Sequence, residues 1–364
     1  MAIIRHVNGY FMKTSSLKIS PEMLRLIAEI DEFKGSWRLM SALAPERLVA
    51  LKRVATIESI GSSTRIEGAK LTDVEVERIL GRIEHQTFSS RDEQEVAGYA
   101  EVMDTIFGSW EEIPLTENYL KQLHAMLLRH TTKDERHRGE YKKNPNNVEA
   151  FDAEGRSLGV IFQTAMPFET PMKMQELVVW TREALMDGAW HPLLVIGLFI
   201  VVFLEIHPFQ DGNGRLSRVL TTLLLLHAGY GYVPYSSLES VIESSKEAYY
   251  LGLRRTQGTL ANDAPDFEPW LLFFLRSLKK QKDHLAEKLE RDVPVEGLHS
   301  VALKILLEAR RVGQITTGEA ERLTAVPRPT VKIRLAELVR RGFLRRHGKG
   351  RGSWYEPTTT KTEM

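Results

Sequence analysis

The stretch His207-Pro208-Phe209-Gln210-Asp211-Gly212-Asn213-Gly214-Arg215-Leu216-Ser217-Arg218 packs an imidazole, a carboxylate, two glycines and two guanidinium groups close together. That combination suits an anion with a base at its edge. An imidazole with an ordinary pKa of about 6.5 is largely neutral at pH 7, so His207 could accept a proton there. Asp211 can hold a Mg²⁺ ion bridging two phosphates, because Mg²⁺ is commonly bound by one or two carboxylates plus phosphate oxygens. Arg215 and Arg218, neighbours on a helix surface, can offer guanidinium forks to phosphate oxygens, and Asn213 can donate from its amide. A capped helix start with a satisfied histidine would explain any one of these residues alone, but not all of them together.

The flanking segments say how such a loop would be held. Leu193 to Leu204 is an unbroken apolar run, too long for an ordinary strand and too short to span a bilayer, and it reads as a buried helix. Arg215 to His227 carries Leu216, Val219, Leu220, Leu223, Leu224 and Leu226 at helical spacing, closed by Gly229. Between the two, Gly212-Asn213-Gly214 lets the backbone approach a ligand closely. The next helix then opens with unpaired N–H groups and the positive end of its dipole, which favours phosphate.

The twelve residues resemble the active-site motif of the Fic (filamentation induced by cAMP) domain family, H-P-F-x-D/E-G-N-G-R-x-x-R, and every defining position is matched. The resemblance spans about residues 15 to 290. It implies an adenylyltransferase that moves AMP from ATP to a hydroxyl side chain (Ser, Thr or Tyr) of a target protein. His207 would be the base, Asp211 the Mg²⁺ ligand, Asn213 with the Gly212 and Gly214 backbone the phosphate cradle, and Arg215 and Arg218 the partners of the β- and γ-phosphates. Phe209 would anchor the loop in the core.

A second stretch concerns control. Residues 45 to 65 read as a helix ending in Ser62-Ser63-Thr64-Arg65-Ile66-Glu67-Gly68, with Gly68 as the residue that stops it. Glu67 puts negative charge at a helix C-terminus, where the dipole disfavours it, so it calls for a cationic partner; Ser63 lies one turn back. Ser63-x-x-x-Glu67-Gly68 resembles the family's inhibitory motif, S/T-x-x-x-E-G/N. The resemblance implies that Glu67 pairs with Arg218 and displaces the γ-phosphate, so a self-inhibited enzyme is expected.

Around these stretches the pattern is all-α. Ser20-Pro21 starts a helix, Thr72-x-x-Glu75 and Ser244-x-x-Glu247 read as capping boxes, and residues 92–107, 116–130 and 268–290 read as further helices. His124, His130 and His137 lack the spacing of a metal site. Residues 144–171 break the helical pattern with two short β runs about a turn, a hairpin. In the family this is a flap that pairs with an extended target segment by β-augmentation. Tyr250, and Gln257 in place of the family's asparagine, are the candidates for the base and sugar side of ATP.

Residues 296–364 carry 14 Lys/Arg against 7 Asp/Glu, while the whole chain is only +1. Their pattern of three helices and a basic hairpin resembles a winged helix-turn-helix, with Arg328 and Lys332 on the recognition helix and Lys349 and Arg351 at the wing tip. Duplex DNA and a homodimer are therefore carried as further partners. The chain has no cysteine, which excludes disulfides and thiolate chemistry. The N-terminus lacks the apolar core of a secretory leader, and no segment reaches membrane-spanning length, so cytoplasmic residence is expected.

The expectation is thus an N-terminal helical segment with an inhibitory helix (1–110), a Fic catalytic core (111–292) and a winged helix-turn-helix (296–357). Two other readings stand beside AMP transfer: removal of AMP at the same site, and a DNA-binding regulator whose Fic core senses a nucleotide.

Overall fold

The computed structural model describes residues 14–41, 45–83, 88–146, 148–151, 157–162, 164–291, 300–348 and 352–358. It falls into two compact units, residues 1–35 with 48–285, and residues 36–47 with 286–364. The described residues form helices α1 (Pro21–Met40), α2 (Pro45–Ile66), α3 (Asp73–Leu80), α4 (Arg91–Ser109), α5 (Glu117–Leu127), α6 (Thr170–Asp187), α7 (Pro192–Ile206), α8 (Asn213–His227), α9 (Leu238–Ser244), α10 (Lys246–Gln257), α11 (Glu268–Arg291), α12 (Ser300–Val312), α13 (Thr317–Thr324) and α14 (Arg328–Arg340). Two antiparallel sheets accompany them. Strands β1 (Val148–Phe151) and β2 (Ser157–Phe162) pair as a hairpin, and β3 (Ile315–Thr316), β4 (Leu344–His347) and β5 (Trp354–Pro357) form a sheet in the order β3-β5-β4. The all-α expectation holds, with the hairpin where the sequence placed it.

The first unit is built around α7 and α8. A helix that is apolar on every face must be enclosed, and the α7 side chains from Leu193 to Leu204 are all buried. α11 reaches α7 at a glycine: a Cβ on Gly197 would meet Leu271 Cδ2 at 2.7 Å, and Trp270 Nε1 donates to Gly197 O at 2.7 Å. α8 starts at Asn213, two residues before the expected Arg215, and buries Leu216, Val219, Leu220, Leu223 and Leu224. Fixing both helices fixes the six-residue loop between them at both ends.

Other starts follow their caps. Thr72 and Thr316 form complete capping boxes with Glu75 and Glu319. The box expected at Ser244 does not form. Residues 238–244 are themselves helical, and the hydroxyls of Ser244 and Ser245 bond back to Val241 O, so α10 starts at Lys246 without a side-chain cap. α5 ends at Leu127, short of the expected His130.

In the second unit, α12, α13 and α14 pack around Ile305, Ile315, Val331, Leu335, Leu338, Leu344 and Tyr355. Arg328 and Lys332 are exposed at the start of α14, whereas Lys349 and Arg351 lie outside the described residues. Strand β3 was not legible in the sequence, because a two-residue strand has no pattern of its own.

Candidate active site

The loop begins with a strained residue. His207 ends α7 with φ 51° and ψ 60°, and its N–H still donates to Phe203 O at 2.9 Å. A left-handed backbone at a non-glycine residue costs on the order of 1–3 kcal/mol and needs support from its surroundings. It turns the imidazole so that Nδ1 lies 3.3 Å from Leu204 O. Donation from Nδ1 to that carbonyl leaves Nε2 as the free basic nitrogen. Burial pulls the His207 pKa down to about 4, so the ring is neutral at pH 7.

Support comes from the expected anchor Phe209 and from His124 and Gly139, to which sequence reasoning assigned no role. Phe209 is fully buried and stacks on His124, with ring centroids 3.8 Å apart and planes 11° apart. Gly139 N donates to His124 Nδ1 at 2.9 Å, so His124 Nε2 carries the hydrogen and donates to Asp211 O at 2.9 Å. His124 is therefore a strut beneath the loop. Burial pulls its pKa to about 4 as well.

Asn213 differs from its expected use. Its Oδ1 accepts from Phe209 N at 2.9 Å and its Nδ2 donates to Phe209 O at 2.7 Å, so the amide braces the loop rather than facing a phosphate. Gly212 takes φ +80°, which a side chain would resist. Its N–H donates to Asp211 Oδ1 at 2.5 Å.

Asp211 bonds Arg91 Nη2 through Oδ2 at 2.9 Å and lies 3.3 Å from Arg215 Nη2 through Oδ1. Burial opposes its charge, yet Arg215, the Gly212 N–H and Arg91 together hold it below the usual aspartate range. No cluster of three metal-ligating side chains occurs among the described residues. A single carboxylate nevertheless fits Mg²⁺ that arrives with a nucleotide, since phosphate oxygens and water supply the remaining ligands. Arg215 is almost wholly buried, lies 3.2 Å from Glu95, and its Nε has no hydrogen-bond partner among the described residues.

Arg218 is as enclosed as Arg215, 3% exposed. Its Nε donates to Ser63 Oγ at 2.8 Å, and its Nη2 donates to Ser63 O at 2.9 Å and Glu67 Oε1 at 2.8 Å. Burial alone would lower its pKa, but the Glu67 carboxylate raises it above the usual arginine value. Nη1 has no hydrogen-bond partner among the described residues. Glu67 itself follows the last residue of α2, where Gly68 at φ +108° bonds back to Arg65 O. Its carboxylate lies directly over Gly214: a Cβ there would meet Glu67 Oε1 at 2.2 Å. A carboxylate thus lies against the first turn of α8.

Tyr250, on α10, is 39% exposed and lies edge-on to the buried Tyr249, with centroids 5.1 Å apart. Burial, followed by the charge of Glu67, raises the Tyr250 pKa. Gln257 lies about two turns further along, buried, with neither amide atom hydrogen-bonded among the described residues. Behind the Ser63–Arg218 contact, Tyr99 OH donates to Glu239 Oε1 at 3.0 Å.

Residues 114–225 match the family model described as Fic/DOC family. The chain is 27% identical over 263 residues to "Protein adenylyltransferase Fic" of Drosophila mojavensis (71% of this chain, 47% of the relative), and 28% over 234 residues to that of Drosophila melanogaster (64% and 42%). It spans about half the length of these curated relatives or less. Among solved structures, a Fic family protein from Desulfovibrio desulfuricans G20 superposes with TM-score 0.60 at 22% identity, over 96% of this chain and 99% of that one. A Fic domain containing signaling protein from Bacteroides thetaiotaomicron gives 0.58 at 24%, over 72% and 97%. The helical fold is therefore the Fic fold. Within that fold, residues 114–225 are similar to a Fic domain.

Proposed function

We propose that this chain is a protein adenylyltransferase that moves AMP from ATP to a hydroxyl side chain of a target protein, and that Glu67 holds it in check. The observation that carries this reading is the Glu67 carboxylate, bonded to Arg218 and seated over Gly214, where a terminal phosphate would otherwise be bound. With Glu67 displaced, Arg218 and Arg215 would take the outer phosphates, and the backbone at the start of α8 would face the anion. Asp211 would hold Mg²⁺, which neutralises charge on the phosphates. Tyr250 and Gln257 are assigned to the adenosine side.

His207 Nε2 then takes the proton of the target hydroxyl as its oxygen attacks the α-phosphorus. The bond from that phosphorus to the bridging oxygen breaks and pyrophosphate leaves, so positioning and charge stabilisation supply the catalysis. The β1–β2 hairpin would hold the target segment. The division of labour follows the sequence: 1–110 with the brake, 111–292 the core, and 296–357 a winged helix that meets DNA through Arg328 and Lys332. A cytoplasmic site of action and a homodimer complete the reading. Because Glu67 also lies where it could orient a water, hydrolysis of an adenylylated hydroxyl is the second reading of the same site.

Incubation with α-labelled and γ-labelled ATP tests the reaction. Label from the α-position should appear on protein in the Glu67→Gly variant, and label from the γ-position should not. Transfer of the γ-label would make the protein a kinase and sink the proposal.

A further inference from the structure

We propose that Lys142, Asn146 and Thr164 form a positioning brace that ties the feet of the β1–β2 hairpin to the His207 loop, holding a docked target segment and the base in one frame. The proposal rests on the reading of His207 as the base. Its grounds are the fates of four successive carbonyls. Ile206 O accepts from Lys142 Nζ at 2.9 Å, His207 O from Asn146 Nδ2 at 3.3 Å, Pro208 O from Lys142 N at 2.8 Å, and Phe209 O from Asn146 Nδ2 at 2.6 Å. Two residues of one segment therefore grip the whole start of the loop, including the strained backbone of His207.

Asn146 and Thr164 stand at the root of the hairpin. Asn146 precedes Val148 by two positions and Thr164 follows Phe162 by two, and Val148 pairs with Phe162 across the hairpin. Lys142 Nζ donates to Asn146 Oδ1 at 2.8 Å and Thr164 Oγ1 at 2.9 Å, and Thr164 Oγ1 donates to Asn146 Oδ1 at 3.0 Å. Both feet thus meet at the ammonium group of Lys142, a residue that is 3% exposed. A buried cation at the C-terminal end of a helix is favoured by the exposed carbonyl dipoles there. An antiparallel bridge between Tyr141 and Phe209 adds to this grip, so the segment that carries the brace sets where Nε2 lies relative to a chain paired along the hairpin.

The charge of the brace is conditional. Burial pulls the Lys142 pKa down to about 8, with Glu205 and Glu169 opposing this and Lys173 adding to it; burial raises Glu205 itself. Lys142 in turn helps to lower His207. As pH rises through about 8, the ammonium loses its proton and the grip on Ile206 O weakens. The base is already neutral over that range, so loss of the brace has its own pH signature.

The test uses the full chain carrying Glu67→Gly, with Asn146→Ala, Lys142→Met, Thr164→Val or Thr164→Ser added. Three quantities are read: hydrogen exchange of the amides in 206–212, affinity for a non-transferable ATP analogue with Mg²⁺, and the rate of AMP transfer to the protein itself. Asn146→Ala and Lys142→Met should raise loop exchange about tenfold or more and slow transfer on the order of 10- to 100-fold, since a displacement near 1 Å costs about 10²-fold. Nucleotide affinity should stay within about threefold, because a loss of positioning slows the reaction without weakening ground-state binding. Thr164→Val, nearly isosteric and able to stand alone if the others fail to fold, should move exchange and transfer in the same direction, and Thr164→Ser should restore both. Unchanged loop exchange, or affinity falling in step with transfer, would overturn the brace. If the Glu67→Gly parent transfers no AMP, the functional reading fails while the exchange data still decide the brace.

Discussion

Replacing Glu67 with glycine removes the carboxylate that, among the described residues, is bonded to Arg218, and the size of the effect can be worked from the contact. Glu67 Oε1 lies 2.8 Å from Arg218 Nη2, with Arg218 enclosed and Glu67 one-third exposed. A hydrogen bond to a charged group is worth about 1.5–3 kcal/mol. If that contact must open before the terminal phosphate can settle against Arg218, its removal should raise the rate of AMP transfer by about 10- to 150-fold, at about 1.4 kcal/mol for each factor of ten. The substituted residue lies just past α2, where added backbone freedom costs about 0.5–1 kcal/mol, so a stability control is part of the assay. Glu67→Gln keeps the shape and loses the charge, and should fall between the two. The assay is incorporation of labelled AMP under initial-rate conditions at saturating ATP. A rate within twofold of wild type in a folded Glu67→Gly protein would refute the clamp.

Four further outcomes are expected. His207→Ala should lower transfer by about 10²- to 10⁴-fold while nucleotide affinity, measured by calorimetry, stays within about threefold. Ser63→Ala removes a bond of roughly 1 kcal/mol to Arg218 Nε and should raise the basal rate about fivefold in the same labelling assay. His124 is buried neutral with a pKa near 4 against about 6.5 unfolded, so the unfolded chain binds more protons between those values; stability is full above pH 6.5 and falls as pH drops through that window. At pH 5 the loss is roughly 2 kcal/mol, read as a lower urea midpoint than at pH 7 and diminished in His124→Gln. Finally, Arg328→Ala with Lys332→Ala should abolish any salt-dependent binding to duplex DNA, and binding unchanged by the double substitution would remove these residues from the interface.

How far the sequence could be read follows from the range over which each signal acts. The helices α1, α2, α4, α7, α8, α11, α12 and α14 were legible because apolar periodicity, Pro at a helix start and Gly after its end act within a few residues. The 207–218 loop was legible as a motif, and so was the pairing of Glu67 with Arg218 once the resemblance was drawn. The braces were not. His124 meets the loop from 87 residues away, and Asn146 from 61 and 63, so neither carries a local mark of its partner. Asn213 had two uses open to the same amide, and burial decided between them. At Ser244 the capping-box letters were present, but the preceding segment was already helical, and the hydroxyls turned back to its carbonyl.

The most direct test of the central claim is one labelling experiment with α-labelled ATP and Mg²⁺, comparing wild type, Glu67→Gly and Glu67→Gly with His207→Ala, each alone and with cell lysate. The account predicts low incorporation in wild type, a rise of at least tenfold in the single variant, and its loss in the double variant. Incorporation that is equal in all three, or that survives removal of His207, would contradict both the brake and the base.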